Sequence, residues 1–155
     1  MKLNDKNIRE SFILRLSNTK HNIKIIEELS VANGSAIADI VSVSNSTHCY
    51  EIKGETDKIE RVIKQSKYYD LAFNKITLIT THNHIEKAFS LSPSHWGIIE
   101  AIYSHKDNRI KFIYHRKSKN NIHMDKFTAI QTLWKREMLN ASKKMGISFL
   151  KKEEN

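Results

Sequence analysis

The sequence predicts an α/β fold in which a central mixed sheet is flanked by helices. Short β-branched runs, separated by turn residues, recur along the chain and indicate strands. Longer stretches carry apolar side chains at helical intervals. Because a meander of three strands is followed by a helix and a further buried strand, we expect a mixed sheet with helices on its faces.

The N-terminal part of the chain predicts one helix and three strands. The helix is predicted over residues 4–18, where apolar residues recur at helical spacing and Asn4 or Asp5 can cap the start. Asn33-Gly34 is a hairpin signal between the first two strands. The three strands are predicted over residues 22–29, 36–43 and 48–54.

The chain after Gly54 alternates between helical and strand patterns. A helical period over residues 55–73 predicts the second helix, with Thr56 or Asp57 as its cap. Next are predicted a strand at 75–81, a helix at 83–91 and strands at 96–104 and 109–116. A long helix over 125–146 ends near Gly146, with an apolar face made of Phe127, Ile130, Leu133, Trp134 and Met138. The predicted order is α-β-β-β-α-β-α-β-β-α.

Length and composition fit one soluble domain. The 155 residues are 39% hydrophobic and 28% charged, and we expect a single domain over residues 1–150 with a frayed, charged tail at 151–155. No apolar run approaches the ~18–20 residues of a membrane span, and the charged N-terminus lacks the apolar region of a signal peptide. Cys49 lies in an apolar strand, so we expect a buried thiol in a reducing, cytoplasmic compartment.

The charge balance favours a polyanionic partner. Lys and Arg number 26 against 17 Asp and Glu, a net charge of +9. Nucleic acid is the first candidate and an anionic membrane surface the second, although a basic protein with neither partner agrees equally well with charge alone. Arg116, Lys117 and Lys119 form a basic run that either contacts phosphates or is a solvated loop. His82 and His84 indicate a surface turn rather than a zinc site, because their spacing to other ligands is not that of zinc.

Three charged groups lie on the two strands that form the predicted second hairpin. A short turn joins these strands, so we expect Asp39 and Glu51 to lie side by side. Adjacent carboxylates repel unless a cation lies between them, and oxygen ligands, including the carbonyl of Ile52, suit Mg²⁺ or Mn²⁺. Strand alternation places Lys53 on the face of Glu51, where it can orient or deprotonate a water or offset charge on a phosphate.

The arrangement of Asp39, Glu51 and Lys53 on a hairpin, followed by a helix, resembles the PD-(D/E)XK nuclease superfamily, also called restriction-endonuclease-like. The resemblance implies a core of the order α-β-β-β-α-β, extended here by a C-terminal hairpin and a long helix. It also implies that Asp39 and Glu51 bind Mg²⁺, that Lys53 is catalytic, and that the protein cuts phosphodiesters. Ala38 stands where the superfamily name has proline.

Further residues extend the resemblance. Glu28, with Glu27 as the alternative, matches an acidic metal ligand that superfamily members supply from an earlier element. Gln65, four residues before Tyr69, fits the Q-x-x-x-Y pattern of the next helix and would support catalysis. Over residues 24–140 the chain also looks like a group of small bacterial and phage proteins of undefined role within the superfamily.

That group also sets two differences. Ile37 stands where the group usually has arginine, and His95 stands where it usually has a second tryptophan. Loss of an arginine beside Asp39 removes a positive charge and would weaken contact with phosphate. Trp96 and Trp134 are expected to pack in or beside the core rather than to stack on bases.

Two hypotheses about function follow, together with a simpler interpretation of the hairpin. The first is a metal-dependent nuclease, acting on DNA rather than RNA in the cytoplasm of a bacterial or phage-infected cell. The second is a module of the same fold that binds nucleic acid or protein without cutting, as a phage accessory or counter-defence protein. The simpler interpretation is an exposed hairpin with a cross-strand salt bridge. A homodimer stays open, because a cut through both strands would usually need two sites.

Overall fold

The computed structural model of the chain describes residues 1–132. The predicted helix over 125–146 is therefore described only over 126–132, where the chain is helical, and Phe127 and Ile130 are exposed there. Outside the described residues lie the other predictions for the C-terminus, which concern Leu133, Trp134, Met138, Gly146 and the tail 151–155. Within the described part, no helix is long and apolar enough to cross a membrane.

A six-stranded mixed sheet forms the centre of the fold. Its strands are β1 (Lys24–Val31), β2 (Ala36–Val43), β3 (Thr47–Lys53), β4 (Lys75–Thr80), β5 (Gly97–Ser104) and β6 (Arg109–Arg116). They lie in chain order across the sheet. Pairing is antiparallel for β1–β2, β2–β3 and β5–β6, and parallel for β3–β4 and β4–β5. The predicted α/β class with a mixed sheet is confirmed.

Helices cover both faces of the sheet. They are α1 (Asp5–Thr19), α2 (Arg61–Ala72) and α3 (Ile85–Leu91). α1 begins at a capping box, in which the side chains of Asn4 and Asn7 each accept a hydrogen bond from the other's backbone N–H. α2 and α3 connect the parallel strands, which a tight hairpin cannot do.

The sheet has a buried core on each face. α1 packs on one face through Ile8, Phe12 and Leu16, against sheet residues that include Ile40, Tyr50, Ile52 and Ile79. The opposite face packs against α2 and α3 through Val41, Cys49, Leu78, Val62, Tyr69, Ala88 and Trp96. Trp96 and Cys49 are fully buried, as the sequence predicts. Each large side chain buried in this way contributes about 1.5–3 kcal/mol relative to an exposed one.

Two helix starts differ from the prediction. α2 begins at Arg61 rather than at the predicted cap, Thr56 or Asp57. The carboxylate of Asp57 instead accepts the N–H of Gly54 at 2.7 Å, and the N–H of Asp57 donates to the carbonyl of Gly54 at 3.1 Å, which closes a turn before the helix. The predicted helix over 83–91 is also shorter, because His82–His84 form a 3₁₀ turn ahead of α3.

Gly54 brings the start of α1 against the end of β3. A Cβ at this position would lie 2.8 Å from the carbonyl oxygen of Leu3 and 3.0 Å from the backbone N of Asp5. The backbone N–H of Glu55 donates to the same Leu3 carbonyl at 2.9 Å, and a carboxylate oxygen of Glu55 accepts the Leu3 N–H at 3.1 Å. The N-terminal segment is therefore fixed beside the residues that follow Lys53.

Candidate functional site

β2 and β3 separate at the place where the predicted site lies. Their pairing ends at Ile40–Tyr50, although the same register would bring Asp39 opposite Glu51. Beyond this point the pairing of β3 continues with β4. The N–H of Ile52 donates to Oδ2 of Asp39 at 2.8 Å, so a carboxylate takes the role of a strand partner. The hairpin therefore opens into a cleft at the carboxylates that the sequence predicts.

The regular alternation of side chains is also interrupted in β1 and β2 beside Asp39. Ile26 and Leu29, three residues apart, both join the core under α2, whereas regular alternation would pair residues two apart. Val41 and Ala38 on β2 behave in the same way. Between Ile26 and Leu29, Glu28 adopts φ 52°, a left-handed conformation that is costly for a residue with a Cβ. Regular strand alternation therefore does not extend through Asp39, which lies where β2 turns over.

Glu51 is buried and has a donor on each oxygen. Its Oε1 forms a short salt bridge with Nζ of Lys53, which is also buried, and its Oε2 accepts the hydroxyl of Tyr69 at 2.7 Å. Gln65 lies one helical turn before Tyr69 on α2, and its Nε2 reaches the Tyr69 hydroxyl at 3.4 Å. Gln65 thus acts on Glu51 through Tyr69. Burial and the charge of Glu51 raise the pKa of Tyr69, so its hydroxyl stays protonated.

Asp39 is surrounded by opposing electrostatic effects. Burial is the largest of them and, together with the charge of Glu51, raises the pKa of Asp39 from its ordinary 3.8 to about 7. The hydrogen bond from Ile52 and the charge of Lys53 act in the opposite direction. Burial thus outweighs the hydrogen bond from Ile52 and the charge of Lys53, and the pKa of Asp39 lies above that of an ordinary carboxyl.

Arg9 is a site residue that sequence reasoning missed. From α1, its Nη2 donates to Oδ1 of Asp39 at 3.0 Å and to Asp5 at 2.9 Å, and its Nη1 donates to Glu28 at 3.2 Å. The guanidinium thus joins three carboxylates from three elements, and its side chain is only 15% exposed. The spacing of Asp5 and Arg9, one helical turn apart, was the only sequence signal. Arg9 supplies a positive charge beside Asp39.

A cavity of about 200 Å³ lies between the separated strands. The structure brings five of the predicted residues to its wall: Asp39, Glu51, Ile52, Lys53 and Gln65. Lys58 and Arg61, which precede and begin α2, also line it, together with the acidic Asp5 and Asp57. Glu28 does not line this cavity, and its side chain is 70% exposed. Glu28 is joined to the site only through Arg9.

The donors in this cavity fit one hard cation that keeps part of its water. Asp39, Glu51 and the Ile52 carbonyl offer oxygen atoms, which Mg²⁺ and Mn²⁺ prefer. Burial is the main cause of the raised pKa of Asp39, and the charge of Glu51 adds a repulsion that a divalent ion would relieve. Residues 1–132 hold no group of three or more His, Cys, Asp or Glu side chains placed to bind a metal, and Glu28 as a metal ligand stays a prediction.

The predicted basic run lies away from this cavity. The Arg116 guanidinium donates to the carbonyls of Trp96 and Pro93 at 2.7 and 2.9 Å, and burial lowers its pKa. Lys117 and Lys119 are exposed. The N–H of Lys119 donates to the His95 carbonyl at 2.9 Å, so the segment lies beside the start of β5. Lys53, in contrast, lies at the end of β3. Phosphate contact by these residues stays a prediction.

Comparison with known proteins gives a family and a fold. The family model described as "Bacteriophage P4 protein cII" matches residues 2–155. Protein cII of Enterobacteria phage P4 is 28% identical over 125 residues; this covers 81% of the chain but 47% of that protein, so the chain spans about half the length of this curated relative. The SPO1766 protein of unknown function from Silicibacter pomeroyi shares the fold, with TM-score 0.58 and 12% identity over 96% of this chain and 98% of that one.

Proposed function

The chain belongs to the family of bacteriophage P4 protein cII, and from its site we propose that it is a metal-dependent nuclease of the PD-(D/E)XK kind. One observation carries the proposal: Asp39, Glu51 and Lys53 converge on one cavity where two strands separate. Buried like charges cost stability, and a catalytic site is a physical reason to keep them. The substrate would be a phosphodiester of nucleic acid, DNA rather than RNA, which agrees with the net charge of +9.

Each residue of the cavity has a defined role in this proposal. Asp39, Glu51 and the Ile52 carbonyl hold Mg²⁺ or Mn²⁺, which when bound polarises the phosphodiester and lowers the pKa of a water. The Lys53 ammonium offsets negative charge that develops on the phosphate. Gln65 supports Glu51 through Tyr69.

Residues outside the ligand set complete the proposed site. Arg9 fixes Asp39, and Glu28 assists by fixing Arg9. Lys58 and Arg61, which line the cavity, would contact phosphates of the bound strand. We place the reaction in the cytoplasm of a bacterial or phage-infected cell, and a cut through both strands would bring two copies together.

A non-catalytic binding module is the second candidate, and a specific observation favours it. All four carboxylate oxygens of Asp39 and Glu51 already have donors within the protein, namely Arg9, the Ile52 N–H, Lys53 and Tyr69. A cluster neutralised in this way is stable without an ion. In this alternative the same fold holds nucleic acid or a protein partner without cutting.

A cleavage assay separates the two candidates. Plasmid and single-stranded DNA are incubated with the protein in Mg²⁺, Mn²⁺ or EDTA, beside Asp39→Asn, Lys53→Met and the control Asp107→Asn. Asp107 is a carboxylate in the turn between β5 and β6, away from the cavity. We expect metal-dependent cutting by the wild type and the control, and loss of at least about 100-fold in the other two variants. Cutting that persists in EDTA or in Asp39→Asn would refute the nuclease proposal, and binding without cutting would favour the second candidate.

A further inference from the structure

A second buried carboxylate lies on the same face of the sheet as Glu51. Glu100, in the middle of β5, is 4% exposed and bonds to two imidazoles. Its Oε1 lies 2.9 Å from Nδ1 of His82, and its Oε2 lies 2.6 Å from Nε2 of His115. The two histidines come from different parts of the chain. His82 lies in the turn after β4, and His115 is the second-last residue of β6. The structure therefore brings together two histidines that the nuclease site does not use.

This cluster adjoins the nuclease site across β4. Lys53 pairs with Thr80 and Thr80 pairs with Glu100, so the three residues form one row across β3, β4 and β5. Two strand spacings separate Lys53 from Glu100, which is about 10 Å. The Thr80 hydroxyl donates to the Lys53 carbonyl at 2.8 Å, which fixes the row.

The loop that carries His82 is hydrogen-bonded to the loop that follows Lys53. Asn83 donates from its Nδ2 to the carbonyl of Glu55 at 3.0 Å, and Glu55 lies two residues after Lys53. The ends of β3 and β4 are thus bonded to each other through their following loops. His82 consequently lies beside the C-terminal ends of β3 and β4, where Lys53 also lies.

The exposure of the two rings indicates a ligand rather than a purely structural contact. A buried carboxylate is costly unless positive charge or hydrogen bonds compensate it. His115, which is 31% exposed, ties β6 to Glu100 and can meet this need. The side chain of His82 is 92% exposed. Holding it against Glu100 therefore costs conformational entropy and gains little packing. Each ring also has a second nitrogen, which lies on the other side of the ring from Glu100 and which, when protonated, is a donor.

We infer that His82 and His115, oriented by Glu100, bind a phosphate of the nucleic-acid strand next to the phosphate that is cut. The inference rests on the proposed function, because it places the strand along the row from Lys53 to Glu100. Arg116 adds positive charge from the far side, since its guanidinium lies 5.4 Å from the ring centre of Phe89, which packs edge-on against His115.

Fluorescence anisotropy with a labelled oligonucleotide tests the inference. Dissociation constants are measured against salt concentration in EDTA, and again with Mg²⁺ in an Asp39→Asn background. The variants are His82→Gln, His115→Gln, both together and Glu100→Gln, with His21→Gln as the control. His21 is exposed and lies at the other end of the sheet, after α1. Thermal unfolding checks that each variant is folded, and His82→Gln keeps the test valid if Glu100→Gln is not, because its side chain is exposed.

We expect the double variant to weaken binding and to reduce the slope of log affinity against log salt by about 1 for each phosphate that the protein no longer neutralises. Glu100→Gln should approach the double variant, and His21→Gln should match the wild type. An unchanged slope in the double variant overturns the inference, even if Asp39→Asn has lost cutting and the nuclease proposal stands. If the wild type binds but does not cut, and the double variant binds less tightly with a reduced slope, the phosphate contact by the two histidines stands, whereas its place next to a cut phosphate falls with the nuclease proposal. Absence of any binding by the wild type overturns both.

Discussion

The two ends of β3 carry buried polar clusters of opposite kinds. At its end, Glu51 and Lys53 are charged, share a cavity with Asp39 and lie where the strands separate. Near its start, His48 bonds to hydroxyls, with Nε2 at 2.7 Å from Thr77 and Nδ1 at 3.1 Å from Tyr50, and stacks on the Tyr50 ring. Burial, with Lys20 and Lys75 nearby, lowers the pKa of His48 to about 3.

The comparison separates what the fold requires from what it tolerates. The neutral His48 cluster stabilises the sheet where β2 and β3 still pair. The charged cluster lies where pairing stops and requires compensation from Arg9 and Tyr69. Polar groups serving stability alone can be neutral, whereas the cost of buried charge is met where it serves another purpose.

The largest effect is expected from Glu51→Gln. It leaves the buried Lys53 ammonium without its charged partner, so we expect the free energy of unfolding to fall by about 3 kcal/mol. Urea unfolding measures this change. The double variant Glu51→Gln/Lys53→Met should recover part of the loss, because no unpaired charge then remains. If the double variant is no more stable than Glu51→Gln, the cost does not arise from an isolated lysine.

Stability should fall with acid because of His48. The pKa of His48 is about 3 in the folded protein and ordinarily 6.5. Between these two pH values the unfolded chain binds a proton at His48 that the folded chain does not bind. The contribution is full above pH 6.5 and is lost as the pH falls toward 3, at about 1.4 kcal/mol per pH unit, or about 2 kcal/mol by pH 5. His48→Gln should flatten this part of the curve of unfolding free energy against pH. A slope that remains unchanged in the variant would assign the effect to other groups.

Arg9→Met should have an intermediate effect. It removes the guanidinium shared by Asp39, Glu28 and Asp5, and we expect a loss of about 1–2 kcal/mol in stability. Cutting should fall further than this loss explains, because Asp39 is no longer fixed. Arg15→Met is the matched control on the same helix, since Arg15 lies over the Tyr114 ring and should cost about 0.5 kcal/mol without affecting cutting. Equal cutting by both variants would remove Arg9 from the site.

The smallest effect is expected on α2. Tyr69→Phe takes the donor from Oε2 of Glu51 and should cost about 1 kcal/mol, whereas Gln65→Ala, which removes only a long hydrogen bond of 3.4 Å, should cost less. Tyr68→Phe is the control, because Tyr68 packs only at the margin of this core. Thermal unfolding ranks the three variants. A larger loss for Gln65→Ala than for Tyr69→Phe would contradict the indirect role assigned to Gln65.

The local patterns of the sequence predicted the elements and much of the candidate site. The spacing of apolar residues indicated α1, and strand alternation correctly placed Glu51 and Lys53 on one face. Alternation could not predict the face change at Glu28, because a left-handed residue other than glycine has little sequence signature.

Contacts between distant segments were beyond these patterns. Arg9 reaches Asp39 because α1 packs on the face of the sheet over β2 and β3. His82 and His115 looked unrelated in sequence, and only the register of β4, β5 and β6 brings them to Glu100. Such contacts depend on tertiary packing, which periodicity within a segment does not encode.

The close approach at Gly54 makes an uncharged position a determinant of charge geometry. Because a Cβ there would press on the backbone of Leu3 and Asp5, Gly54→Ala would displace the first turn of α1 from β3. Arg9 lies on the next turn of that helix, and its reach to Asp39 depends on the same separation. Gly54 thus sets the distance between α1 and β3. A single added methyl group there would alter the electrostatics of Asp39 without replacing any ionisable residue.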